Sequence, residues 1–363
     1  MGANDLQSNL AQLGLFCDRQ RAGQMRTRVA GHPKQPAPTA IVPIEVGIGP
    51  AQLRLIERGG VIAQEPPNGD DMAFTHAVFC QVGLPRRRVD GTSFTRQSGE
   101  AWLTVQSGLL DLGNGPEPQY VPYGALPRVA LAWVSTYAKR HKTREVPIGR
   151  SASEFLGLLG KNANGGVRGD LTMLKPQMHA LAACRLQIGY HGRTFNGGPI
   201  EQFDAWFSSA EAEAAKRSRW PGVLVLSQAY FGELCEHGVP LDNRALMALR
   251  GSALALDLYC WLAHRLCRMK RTTHVPRVRL KEQFGQEYTG KNASANFWTS
   301  FQQALRAVVS VYPDAKVDER PDGLLLALSR PPIPPRTLEF ASSAPAVQLA
   351  PVDKAVSRGR CPR

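Results

Sequence analysis

Residues 291–311 read KNASANFWTSFQQALRAVVSV. Phe297, Phe301, Leu305, Val308 and Val309 recur at helical spacing, which predicts an amphipathic helix over 296–311 with one apolar face. A polar turn at 290–294, a short helix at 280–285 and an extended piece, Val275-Pro276-Arg277-Val278, precede it. Before those, residues 252–269 carry Leu254, Leu258, Trp261, Leu262 and Leu266 on one stripe, a second strong helix. Beyond the quoted stretch, 315–318 and 324–328 flank Pro321-Asp322-Gly323, a hairpin signal. Helix, strand, helix, turn, helix, hairpin is the order of a winged helix-turn-helix.

The same order stands earlier in the chain. A helix over 126–140 leads to an extended piece at 145–148, and Ser151-Ala152-Ser153-Glu154 fits a capping box opening a helix that stops at Gly160. A Gly-rich turn over 161–169 precedes a helix near 170–184, where Pro176 removes one helical bond at a cost of ~3 kcal/mol. A strand at 185–190 and a loop at 191–199 follow, then two short helices, 227–237 and 242–250. Val146-Pro147 and Val275-Pro276 mark an architectural offset of about 130 residues.

Further out, residues 72–125 read as short strands: the apolar run 73–82, the alternating stretch 102–105, and turns at Asp90-Gly91 and Gly113-Asn114-Gly115. Arg86-Arg87-Arg88 falls in a turn between strands. Residues 1–71 offer one short helix at Leu6, Leu10 and Leu13 and then a Pro- and Gly-rich linker over 31–50, so weak order is expected there. The tail 331–363 has seven prolines and a single aromatic, Phe340; it buries too little apolar area to offset its ordering entropy, and disorder is expected. The expected fold class is α+β: two tandem winged-helix units with a β-rich N-terminal addition. Four regions result: 1–71 weakly ordered, 72–220 the first unit with its preceding strands, 221–330 the second unit, and 331–363 the tail.

Charge narrows the partner. Of 363 residues, 44 are Lys or Arg and 30 Asp or Glu, a net +14 that favours nucleic acid or an anionic membrane. No basic amphipathic helix favours the membrane, no run approaches the ~18 apolar residues of a span, and the first 16 residues lack a secretory signal pattern. Seven scattered cysteines without a CxxC argue against a disulfide framework and structural zinc, and predict free thiols in a reducing cytoplasm.

The densest charge is Arg265, Arg268, Lys270, Arg271, Arg277, Arg279 and Lys281, seven cations in 17 residues with no acid between them. Phosphate contacts require such an edge; the plain alternative is a solvated face with a basic helix end. Lys291, Asn292, Ser294, Asn296, Thr299, Ser300, Gln303 and Arg306 occupy the start and polar side of the helix after the second turn. Asn, Gln and Arg make bidentate bonds to base edges, and the second helix of a helix-turn-helix enters the major groove by its N-terminal part. The first unit offers a poorer set, Lys161, Asn162, Arg168, Thr172, Lys175, Gln177 and His179, with Arg193 as a wing residue at a phosphate. No metal site or cofactor is expected. Gly157 to Asn162 fails as a phosphate loop, because Phe155 stands where glycine is required and Asn162 where Ser or Thr is. No HExxH or GxSxG occurs. A nicking enzyme needs metal-binding carboxylates or a tyrosine beside paired histidines, and Tyr190 has only His191 next to it. A transcriptional repressor of the same fold remains a rival.

Residues 126–134 (LPRVALAWV), Ile148-Gly149-Arg150-Ser151 with Glu154-Phe155, and Gly165-Gly166 before a helix resemble the RepA-type plasmid replication initiators. Residues 246–266, with the block Leu256-Asp257-Leu258-Tyr259-Cys260-Trp261-Leu262, carry the resemblance most strongly. Gln283-Phe284-Gly285, Tyr312-Pro313 and Gly323-Leu324 continue it over about 72–334. The resemblance implies a non-enzymatic initiator that binds repeated double-stranded sites at a plasmid origin, helps open nearby A·T-rich DNA, recruits host replication proteins and represses its own promoter. It also implies a homodimer in equilibrium with the initiating monomer, and it supplies no catalytic residues.

Overall fold

The computed structural model describes residues 49–112, 115–163, 166, 169–190, 192–203 and 222–334. The expected helix at Leu6–Leu13, Gly113-Asn114, Gly165, Arg168, His191 and all but four residues of the Pro-rich tail lie outside the described residues.

The N-terminal part comprises helix α1 (Pro50–Gln64), strand β1 (Met72–His76) with a single 3-10 turn (Ala77–Cys80), β2 (Ser93–Ser98), β3 (Ala101–Gln106), β4 (Leu109–Asp111) and β5 (Pro116–Pro118). The first unit runs α2 (Ala125–His141), β6 (Glu145–Pro147), α3 (Ala152–Leu158), α4 (Asp170–Ala183), β7 (Arg185–Tyr190), β8 (Arg193–Gly197), β9 (Ile200–Gln202) and β10 (Val223–Leu226). The second follows with α5 (Gln228–His237), β11 (Gly238–Asp242), α6 (Asn243–Leu249), α7 (Ala253–Leu266), β12 (Thr273–Pro276), α8 (Arg277–Phe284), α9 (Ala293–Val311), β13 (Val317–Arg320) and β14 (Gly323–Leu326).

Side chains start these helices where the sequence placed them. Ser151 Oγ accepts from Glu154 N at 3.1 Å, and Glu154 reaches back to Arg150 N at 2.8 Å, closing a box at the start of α3. Ser252 caps α7 and Ser227 caps α5 by the same Oγ-to-amide bond.

Strand pairing reproduces the internal repeat. The first unit has the sheet order β6-β10-β9 and the second β12-β14-β13. Val146 pairs with Leu224 and Pro147 with Val223, while Val275 pairs with Leu324 and Pro276 with Gly323. The two Val-Pro pairs therefore hold equivalent register positions. What differs is an inserted hairpin, β7–β8, which joins β2 and β3 in a four-stranded sheet ordered β2-β3-β7-β8.

Several expectations need correction. Residues 50–64, assigned to a weakly ordered region, form α1; Pro50 begins it, and Gly59 is buried where a Cβ would lie 1.8 Å from the carbonyl oxygen of Ser310 on α9. The loop at 191–199 contains strand β8, paired residue by residue with β7. Arg277 and Val278 belong to helix α8 rather than to an extended piece, and α9 starts at Ala293, three residues before the expected start. Helix α4 begins at Asp170 and accommodates Pro176 inside it. Strand β11 went unread in the sequence because Pro240 interrupts it; it pairs antiparallel with β1, Met72 opposite Asp242.

One buried apolar cluster runs from Ala73 to Leu326, so both units share a core. Three arginines and two acids form a buried ionic junction. Asp257 of α7 takes Arg128 Nε of α2 at 2.7 Å, and Glu287, in the turn between α8 and α9, takes Arg96 Nη2 of β2 at 2.5 Å and Arg86 Nε at 3.2 Å. Burial lowers the Arg86 guanidinium to about 10.

Candidate nucleic-acid interface

Helix α9 separates its two faces cleanly. Phe297, Phe301, Ala304, Leu305, Val308 and Val311 are buried, each large apolar side chain being worth about 1.5–3 kcal/mol. Asn292, Asn296, Thr299, Gln303 and Arg306 are exposed. At 3.6 residues per turn these five fall within an arc of about 80°, a single polar stripe at i, i+3/i+4 spacing. Asn292 makes no capping bond, so its amide is not committed to the helix start. Lys291, exposed, precedes the stripe.

Two of the expected base readers stand apart. Ser294 lies on the far side of the helix, where Lys281 Nζ of α8 donates to its Oγ at 2.6 Å. Ser300 is half-buried and its hydroxyl donates to the Asn296 carbonyl at 2.9 Å. Thr299 is on the stripe, with its hydroxyl bonded to the Ala295 carbonyl at 3.1 Å.

The basic run divides. Arg277 stacks on the Trp298 ring, 4.1 Å from its centroid. With Arg306, Lys316 and Arg320 it lines a groove of about 850 Å³ between α9 and the β13–β14 hairpin. The groove is not uniformly positive: Arg320 pairs with Asp318 at 2.6 Å, and Gln302 donates to Glu319. Arg279 forms an exposed pair with Glu282 at 2.9 Å, of little energetic weight. Lys270 and Arg271 are exposed, with no ion pair among the described residues. Arg265 lies half-buried over Trp261.

Arg268 leaves this edge. Its guanidinium donates to the His264 carbonyl at 2.7 Å, and it lines a different cleft with Arg193, Tyr190, Phe195, Glu233 and His237. Arg193 is paired there with Glu233 at 2.6 Å. In the first unit, Lys161 is tied to Asp170 at 2.8 Å, Lys175 is half-buried, and Gln177 and His179 are in the core. The Gln177 side-chain oxygen accepts from Tyr123 N at 3.0 Å. Helix α4 thus turns Gln177 and His179 into the core, while Thr172 stays exposed with its hydroxyl donating to the Gly166 carbonyl at 2.8 Å, and Arg168 is outside the described residues.

The arginine triplet was undervalued in the sequence. Arg86 enters the buried junction, Arg87 lies over the Tyr288 ring and Arg88 over Tyr120. The acids that receive Arg86 are more than 150 residues away in sequence, so local spacing carried no signal of it.

Residues 121–278 match the RepA_C family, described as plasmid encoded RepA protein. The match begins ahead of α2 and ends at Val278, ahead of α9. The crystal structure of RctB domains 2-3 (RctB-155-483) aligns over 69% of this chain and 94% of that chain, with 12% identity and a TM-score of 0.39. The search of curated proteins finds no match. The resemblance to RepA-type plasmid replication initiators is therefore matched over 121–278. Among the described residues no helix is long and apolar enough to cross a membrane.

Proposed function

We propose that this chain is a plasmid replication initiator that binds repeated double-stranded sites at an origin through two tandem winged-helix units. The observation that carries the reading is the polar stripe Asn292–Asn296–Thr299–Gln303–Arg306 on α9, set against the buried Phe297, Phe301, Leu305 and Val308 on the opposite face. The repeated strand order, the net charge of +14 and the family match support it. The second unit supplies base reading. Lys270, Arg271 and Arg279 supply phosphate contacts through counterion release. The first unit contributes less to the duplex, since Lys161 and Arg193 must leave Asp170 and Glu233 to reach a phosphate. Binding promotes local opening and recruits host replication proteins without enzymatic chemistry or a cofactor. Occupancy near its own promoter represses the gene, and a homodimer in equilibrium with monomer sets the balance between the two tasks.

Footprinting over the DNA flanking the gene tests this. Regularly spaced protected repeats are expected, and the absence of protection at low salt would sink the reading. Replication of a small origin plasmid in cells with and without the gene separates an initiator from a repressor.

A further inference from the structure

The turn between α8 and α9 is held by one short stretch of the N-terminal region. Glu287 Oε1 accepts the backbone N–H of Arg86 at 2.7 Å and of Arg87 at 3.1 Å, and its Oε2 takes Arg96 and Arg86. Arg86 also donates to the Phe284 carbonyl. Gln283 donates to the Gln81 carbonyl at 3.0 Å, Gln286 to that of Gln97 at 3.4 Å, and Tyr288 stacks under Arg87. Four side chains and one carbonyl over 283–288 thus address residues 81–97. Arg86 and Arg96 are in turn held by Asp257 of α7, at 3.9 and 3.8 Å.

We infer that Glu287 is a positioning residue for sequence recognition. It fixes the turn from which α9 departs, and so sets the pitch at which the stripe meets a base edge. The inference rests on the proposed function above. Base contacts tolerate little misplacement because bidentate bonds are directional, whereas phosphate contacts are made by mobile cations and survive a tilt. A loosened turn therefore costs selectivity before it costs affinity.

Two variants test this: Glu287→Gln, and Arg96→Met combined with Glu287→Gln. The double variant removes one cation and one anion, so the junction keeps its net charge, and a cooperative thermal melt checks that each variant is folded. Affinity is measured for the duplex protected in the footprint and for a random duplex of equal length, together with amide hydrogen exchange over 285–296. The expected result is at least a tenfold loss on the protected duplex, a change within twofold on random DNA, and at least tenfold faster exchange in the turn. An unchanged ratio of the two affinities, or equal losses on both duplexes, overturns the inference. Should the wild-type chain select no duplex at all, the proposed function falls instead, and exchange alone then decides the clamp: unchanged protection across 285–296 overturns it.

Discussion

At the scale of single residues, the stripe and the basic edge make different predictions. Gln303→Ala or Arg306→Ala removes a base-directed side chain and should cost about 1–3 kcal/mol on the cognate site only. Arg271→Ala removes an exposed cation and should weaken every duplex alike, lowering the salt slope by about 1. Titrations against both duplexes at several salt concentrations separate the two classes, and equal behaviour would refute the division. His76 makes a pH prediction. Its Nδ1 accepts from Val78 N at 3.2 Å, and burial, then His237, lowers its pKa to about 4, although Glu233 lies 3.8 Å from Nε2. The folded state thus prefers the neutral ring. The stability it contributes is complete above the unfolded value near 6.5 and is lost as pH falls toward 4, up to about 3 kcal/mol. Urea unfolding between pH 7 and 4 should show this loss, and His76→Gln should flatten it.

At the scale of elements, the crossing of α1 over α9 depends on a missing side chain. Gly59→Ala favours the isolated helix by about 1 kcal/mol, yet its methyl would collide with the Ser310 carbonyl. A net loss on the order of 1–3 kcal/mol is expected from the forced separation, with faster proteolysis over 49–71; a stabilised variant would contradict the crossing. The same helix shows where sequence reading reached and where it stopped. Helices α7 and α9 were legible because their apolar spacing is strong, and the Val-Pro pairs located the repeat correctly. Helix α1 was not, since Gly59-Gly60 weakens its propensity and packing supplies the compensation. Strand β8 was hidden by glycines, its identity coming from pairing with β7. Of the site, the stripe was legible from residue type and periodicity. The diversion of Ser294, Lys161 and Arg193 was not, because each depends on a neighbour brought in by folding, while Arg268 turns back on the His264 carbonyl one helical turn earlier.

At the scale of the whole molecule, the continuous core and the ionic junction make the two units one cooperative body. Asp257→Asn leaves Arg86 and Arg96 with Glu287 and removes the carboxylate that pairs with Arg128, and breaking a buried pair in this way should cost about 3–5 kcal/mol. Because Trp133 lies in the first unit and Trp298 in the second, denaturant unfolding followed by fluorescence should remain a single transition, in the variant as in the wild type. Two separated transitions would show that the units unfold independently and that the shared core is not cooperative.

The antiparallel pairing of β1 with β11 also bears on synthesis. Met72 leaves the ribosome well before Asp242, its partner across the sheet. At 5–20 residues per second the wait is on the order of ten to thirty seconds. For that interval the nascent chain carries an unsatisfied strand edge, open to chaperones or to mispairing with a neighbouring polysome product. A message broken before the codon for Gly238 would yield a product that never closes this edge, so a damaged transcript gives a chain destined for proteolysis rather than a working half.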